Sequence, residues 1–267
     1  MSEKTKVQKS AEKLNVIDDA LFQKMAEDPG FCEELISTIL GQKVIVKSVT
    51  PQNSIKNLQG RSVVLDALCI LEDGRHCNVE VQKANDDNHE RRVRYNTSCV
   101  TANITEPGTK FEKVPDVIGI FISRFDMFEA GRTVYHIDRT IRENGDVQNN
   151  GLQEIYVNTK IDDGTDIAKL MHIFKEQSAY DFEKFPRTSQ RKKYFIEDEG
   201  GKEEMCEVVE NYAKEYAREY ALEKEKKAAY KLFENGADYE LVRKSMDSLS
   251  DEELKAIYKE VSSKKVG

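Results

Sequence analysis

Residues 61–82 read Arg61-Ser62-Val63-Val64-Leu65-Asp66-Ala67-Leu68-Cys69-Ile70-Leu71-Glu72-Asp73-Gly74-Arg75-His76-Cys77-Asn78-Val79-Glu80-Val81-Gln82. An apolar run interrupted by one carboxylate meets a Glu-Asp-Gly turn signal, then gives way to strict alternation, the pattern of a β-hairpin. With Glu72-Asp73-Gly74 as a three-residue loop and Gly74 left-handed, Leu71 sits opposite Arg75. Counting back, Ala67 faces Val79, Asp66 faces Glu80 and Val64 faces Gln82. One face then holds Val63, Leu65, Ala67, Cys69, Cys77, Val79 and Val81, all apolar, and belongs in a core. The other brings the Cβ atoms of Asp66 and Glu80 to within ~5 Å, with Gln82 one step along. A two-residue turn would send the carboxylates to opposite faces; the uniformity of the apolar face favours the first register.

Two carboxylates that close repel each other and lose hydration when partly buried, so one tends to take up a proton. A hard divalent cation, Mg²⁺ or Mn²⁺, removes the conflict by accepting oxygen ligands from both. Asp66 and Glu80 are thus candidate metal ligands, and the Val81 carbonyl can add a third oxygen. The bland alternative is an Asp hydrogen-bonded to a loop and a Glu facing solvent, and the three-residue pattern alone does not exclude it.

Upstream, residues 11–41 have helical apolar spacing broken at Asp28-Pro29-Gly30, with Gly41 as a C-terminal stop. Val44 to Val49 reads as a strand and Pro51 to Gly60 as a polar loop. Downstream, residues 86–102 read as a polar helix carrying Arg91, Arg92, Arg94 and Tyr95. Residues 114–122 form a buried strand, 133–140 and 154–160 two more, and 166–174 a helix. The charged stretch through Phe185-Pro186 to Lys193 reads as a loop, and its basic cluster (Arg187, Arg191, Lys192, Lys193) as solvated. At Gly200-Gly201 the composition turns to Glu, Lys, Ala and Tyr, giving one long charged helix to Asn235 and two shorter helices after it. The expected division is therefore 1–200 and 201–267. Tyr212, Tyr216 and Tyr220 would form one stripe on the long helix, suited to packing or to pairing two copies into a homodimer.

The chain has 267 residues and a formal charge of −8, which speaks against holding nucleic acid by bulk electrostatics; such contacts need a local basic surface or a metal. Five scattered cysteines without a C-x-x-C pair imply neither a disulfide framework nor a zinc site, and a cytoplasmic setting is expected. No run is apolar enough to span a membrane, and Met1 to Ser10 has no apolar core of a signal peptide. The four histidines share no metal-ligand spacing, and Walker, G-x-S-x-G and G-x-G-x-x-G strings are absent.

Leu65-Asp66, Asp73-Gly74-Arg75 and Asn78-Val79-Glu80-Val81-Gln82-Lys83 resemble the active-site hairpin of the PD-(D/E)XK nuclease family transposases. The resemblance extends to Asp18-Asp19-Ala20-Leu21-Phe22-Gln23-Lys24, to His89-Glu90-Arg91-Arg92-Val93-Arg94-Tyr95-Asn96, to Phe121–Asp126 and to Glu154–Thr159, covering residues 15 to about 195. It implies an α/β, restriction-endonuclease-like core with a central mixed β-sheet flanked by helices, here with a C-terminal α-helical extension. It also implies metal-dependent hydrolysis of DNA phosphodiester bonds, linked to recombination or mobile elements. By position, Asp66 and Glu80 would be metal ligands, and Gln82 takes the place usually given to lysine. A neutral amide can orient a water but cannot stabilise hydroxide by charge. Leu65 stands where the motif's proline would be. Lys83 would point to the apolar face. Asp19, ahead of Asp18, is the candidate first-helix ligand, although a helix-start carboxylate interacting with the dipole reads equally well. Arg91, Arg92 and Tyr95 are the candidate DNA-binding residues. The competing reading is a DNA- or protein-binding module that kept the nuclease fold and lost efficient chemistry.

Overall fold

The structure, a computed structural model, describes residues 13–56 and 61–265, without the side chains of residues 215, 216, 219, 264 and 265. Its centre is the hairpin of β2 (Val63–Leu71) and β3 (His76–Gln82). The observed register pairs Ala67 with Val79 and Cys69 with Cys77. Leu71 N donates to Arg75 O at 2.9 Å, and Gly74 lies at φ 90°, which only a residue without a Cβ adopts easily. The three-residue turn therefore sets the strand phase, and all seven residues of the apolar face are buried.

Around the hairpin lie β1 (Val46–Ile55), β4 (Val117–Ser123), β5 (Val134–Ile137) and β8 (Leu152–Asn158), in the order β1-β2-β3-β4-β8-β5. β1, β2 and β3 run antiparallel, β3, β4 and β8 parallel, and β5 pairs antiparallel with β8, so the sheet is mixed. Helices α1 (Asp19–Ala26), α2 (Pro29–Leu40) and α4 (Asp166–Lys175) share an aromatic core of Phe22, Phe31 and Phe174, with centroids 6.0–6.4 Å apart. This is the α/β arrangement of a central mixed sheet flanked by helices that the family resemblance implied.

The parallel step from β3 to β4 is made by α3 (His89–Ile104), started by Asn88, whose Oδ1 accepts from Arg91 N at 3.0 Å. A Cβ on Gly119 would come within 2.7 Å of Thr97 Cγ2. The missing side chain lets α3 lie directly on β4, and this closeness brings the polar side of α3 to β3.

Several local expectations are corrected or refined. β1 does not end at Pro51: it continues to Ile55, because on an edge strand a residue without an N–H costs no ladder bond; residues 57–60 of the expected loop lie outside the described residues. Residues 186–197 are not a loop but α5 (Pro186–Glu197), with proline in the first turn and a buried side made of Thr188, Ser189, Lys192 and Phe195. The cluster there is not solvated: Lys192 is fully buried and its ammonium donates to the carbonyls of Ile173, Glu176 and Ala179. Arg191 donates to the carbonyls of Lys24 and Met25 at the end of α1. A further small hairpin of β6 (Arg139–Thr140) and β7 (Val147–Gln148), exposed throughout, forms across Asn144-Gly145. Finally, the scattered cysteines converge in part: burial and mutual contact push up the thiols of Cys32 and Cys77 beside Cys69, and all three are reduced.

The chain divides into two compact units, 1–206 and 207–267. The long helix α6 (Glu199–Glu234) starts ahead of the glycine pair, because a Cβ on Gly201 would strike the Tyr194 carbonyl; the glycines let its first turn close on the end of α5. The second unit contains α7 (Tyr239–Ser245) and α8 (Asp251–Lys265), with a core of Ala229, Phe233, Val242, Leu254 and Val261. Tyr212 and Tyr220 of the expected stripe are exposed; the side chain of Tyr216 lies outside the described residues. Among the described residues no helix is long and apolar enough to cross a membrane.

Candidate metal centre

The paired register ends at Ala67–Val79, and one residue further on Asp66 stands across from Glu80. In an antiparallel ladder with hydrogen-bonded pairs at 71/75, 69/77 and 67/79, Val81 N would next bond Leu65 O. Instead it donates to Asp66 Oδ2 at 2.8 Å. The carboxylate thus takes the place of a ladder carbonyl where the strands part. On the opposite side of β2, interpolation of the β1 register sets Gln52 beside Asp66; Gln52 has φ 48°, a left-handed conformation rare for a non-glycine residue. Its side-chain amide donates to Gln23 of α1.

Glu80 is only 2% exposed, and its carboxylate is held by three donors. Asn78 Nδ2 donates to Oε1 at 2.9 Å and Asn96 Nδ2 to the same oxygen at 3.1 Å, while Arg92 Nη2 reaches Oε2 at 3.4 Å. Arg92 Nη1 donates to Gln82 Oε1 at 2.9 Å, and Gln82 Nε2 donates to Ala84 O at 3.0 Å. β3 therefore supplies Asn78, Glu80 and Gln82 on one side at period two, and α3 supplies Arg92 and Asn96 one turn apart.

Burial raises the pKa of both carboxyl groups. For Asp66 the rise is large; repulsion from Glu80 adds to it, the Val81 N–H opposes it, Asp19 adds further and Arg92 opposes. For Glu80 the donors Asn78, Arg92 and Asn96 offset part of the rise. His89, the first residue of α3, is buried between Phe121 and Phe125, each 5.3 Å away; burial and then the Arg92 charge lower its pKa.

Several sequence candidates take different places than expected. Asp19 acts on Asp66 through its charge, and among the described residues no three His, Cys, Asp or Glu side chains converge at metal-ligand spacing. Asp18 is paired with Lys83 and accepts from Asn15 N at 2.8 Å; Lys83 is exposed rather than turned to the apolar face. Arg92, expected on phosphate, is engaged within the protein, and Tyr95 donates its hydroxyl to Arg61 O at 2.6 Å. Arg91 is exposed on α3. Asn78 and Asn96 were not singled out as site residues; the signals were present, since Asn78 precedes Glu80 by two residues in a strand and Asn96 follows Arg92 by four in a helix.

The donor set fits a hard cation. It offers oxygen ligands only, from two mutually repelling carboxylates, and Asn78 Oδ1 nearby is buried without a partner among the described residues. Magnesium is commonly held by one or two carboxylates and keeps several waters.

Neither the curated proteins nor the solved structures contain a match to the chain. The family model of the PD-(D/E)XK nuclease family transposases matches residues 30–234, from the first turn of α2 to the end of α6, and includes every element of the site except α1. By that match the chain belongs to the PD-(D/E)XK nuclease family transposases.

Proposed function

We propose that the protein is a metal-dependent endodeoxyribonuclease that hydrolyses DNA phosphodiester bonds at Asp66, Glu80 and Gln82, in recombination or mobile-element processes. The observation that carries the reading is the pairing of Asp66 with a buried Glu80 that three donors orient. Burial raises the pKa of both carboxyl groups and the charge of Glu80 raises that of Asp66 further, a conflict that a bound cation would relieve. Asp66 and Glu80, with the Val81 carbonyl, would hold Mg²⁺ or Mn²⁺. Bound there, the ion would polarise a phosphate oxygen and lower the pKa of a water. Asn78 and Asn96 fix the Glu80 carboxylate in one orientation. Gln82 orients a water through its amide, a weaker aid than an ammonium would give. Asp19 adds negative charge from α1 and is the candidate further ligand, and Arg91 supplies a cation for the DNA backbone.

A second reading, a DNA- or protein-binding module with weak or no chemistry, is favoured by Gln82 and by the charge of −8. Incubation of plasmid with the protein in Mg²⁺ or Mn²⁺, in chelator, and beside Asp66→Ala separates them. Metal-dependent nicking that the variant loses is the expected outcome. A folded protein that cleaves neither duplex nor single-stranded DNA is the binding module.

A further inference from the structure

We propose that Arg92 is a stand-in cation: its guanidinium occupies the oxygens of Glu80 and Gln82 that face the metal position, and it is exchanged for the divalent ion when the site loads. This rests on the metal-site reading above. Two lone-pair directions of Glu80 Oε1 are used by Asn78 and Asn96, which leaves Oε2 as the oxygen with capacity to ligate. Arg92 sits on Oε2, at a long 3.4 Å, while its tighter bond of 2.9 Å goes to Gln82 Oε1. In this state Gln82 donates from Nε2 to Ala84 O and accepts at Oε1 from Arg92, so departure of Arg92 frees one of its acceptor positions for a water.

The partners differ in freedom. The Glu80 side chain is 3% exposed and that of Arg92 is 37%, so the carboxylate is the fixed party and the arginine has a path to solvent. The charges also point to exchange. Glu80 and Asp19 both act on Asp66, Lys83 is paired with Asp18, and the charge of Arg92 offsets the repulsion at Asp66 less than Glu80 and Asp19 create it. A released guanidinium at the mouth of the site presents a planar fork suited to a phosphate, which makes metal loading and substrate capture one coupled event.

A supporting role for Arg92 predicts the opposite sign, and metal affinity distinguishes the two. Mn²⁺ binding to the full chain, without DNA, is titrated by the electron-paramagnetic signal of free Mn²⁺ for the wild type, Arg92→Gln, Arg92→Lys, Asn96→Ala and Asp66→Ala. Arg92→Gln is expected to bind Mn²⁺ roughly threefold tighter or more, the scale set by a partly exposed ion pair. Arg92→Lys, which keeps the charge but cannot span both oxygens, falls between, and Asn96→Ala binds more weakly. Unchanged or weaker binding by Arg92→Gln with a native melting curve, or by Arg92→Lys if the first variant does not fold, overturns the exchange. That result leaves the metal-site reading intact provided Asp66→Ala abolishes binding. Equal binding by the wild type and Asp66→Ala, or no binding by any form, overturns both.

Discussion

Asp66 and Glu80 carry the same functional group into different surroundings. Glu80 has donors on both oxygens; Asp66 has one backbone N–H and two carboxylate neighbours. Asp66 therefore holds a proton more tightly in the folded chain than in the unfolded one. Its contribution to stability is fully present below the unfolded value, near pH 4, and is lost as pH rises through the raised folded value. Asp66→Asn cannot ionise and can still accept from Val81 N. Melting curves should superimpose near pH 4 and diverge toward about pH 7, with the variant higher by a few degrees; excess Mg²⁺ should narrow the gap by binding only the wild type. A gap independent of pH would mean that Asp66 ionises as readily folded as unfolded. The pair was legible in the sequence because strand alternation and a three-residue turn fix which residues face each other. The donors that orient Glu80 were less so: Asn96 reaches it only because Gly119 lets α3 lie close, and a glycine's partner cannot be read from its neighbours in sequence.

At the scale of elements, α5 shows where periodicity fails. Its buried side is Thr188, Ser189, Lys192 and Phe195, so no apolar stripe marks it, and its burial is satisfied through main-chain carbonyls. β1 beyond Pro51 is similarly silent, being a polar edge strand. By contrast, β4 is buried at every position and α2 ends on the left-handed Gly41, and both were evident from residue type alone. Lys192 ties α5 to the C-terminal carbonyls of α4, and burial lowers its pKa to about 8. Lys192→Met strips the carbonyls of Ile173, Glu176 and Ala179 of their donor and should cost on the order of 2–4 kcal/mol at neutral pH. Between about pH 8 and the ordinary lysine value the unfolded chain keeps a proton that the folded wild type has released. Rising pH therefore favours the folded wild type, and its advantage over the variant should widen through that window. Urea titrations of both proteins across the window check this; a constant difference would mean that Lys192 stays charged.

For the whole molecule, a net charge of −8 sets a limit on how DNA can be held. Among the described residues, α3 exposes two cations, Arg91 and Arg94. Binding of a cleavage-resistant phosphorothioate duplex, followed by anisotropy in Mg²⁺, should therefore lose affinity with salt at a logarithmic slope of only about −3, with Arg91, Arg94 and a released Arg92 each neutralising one phosphate at roughly −0.9. A slope of about −5 or steeper would reveal a broad basic surface instead. The division of labour along the chain also has a consequence. Asp66, Glu80, Gln82, Arg92 and Asn96 all come from one hairpin and the helix that follows it, whereas the exposed β6–β7 hairpin lies far along the sequence. On the proposed reading the chemistry is inherited as a single contiguous cassette. The polar stretch between β5 and β8 can then change in length or sequence without touching any residue that the proposed chemistry uses.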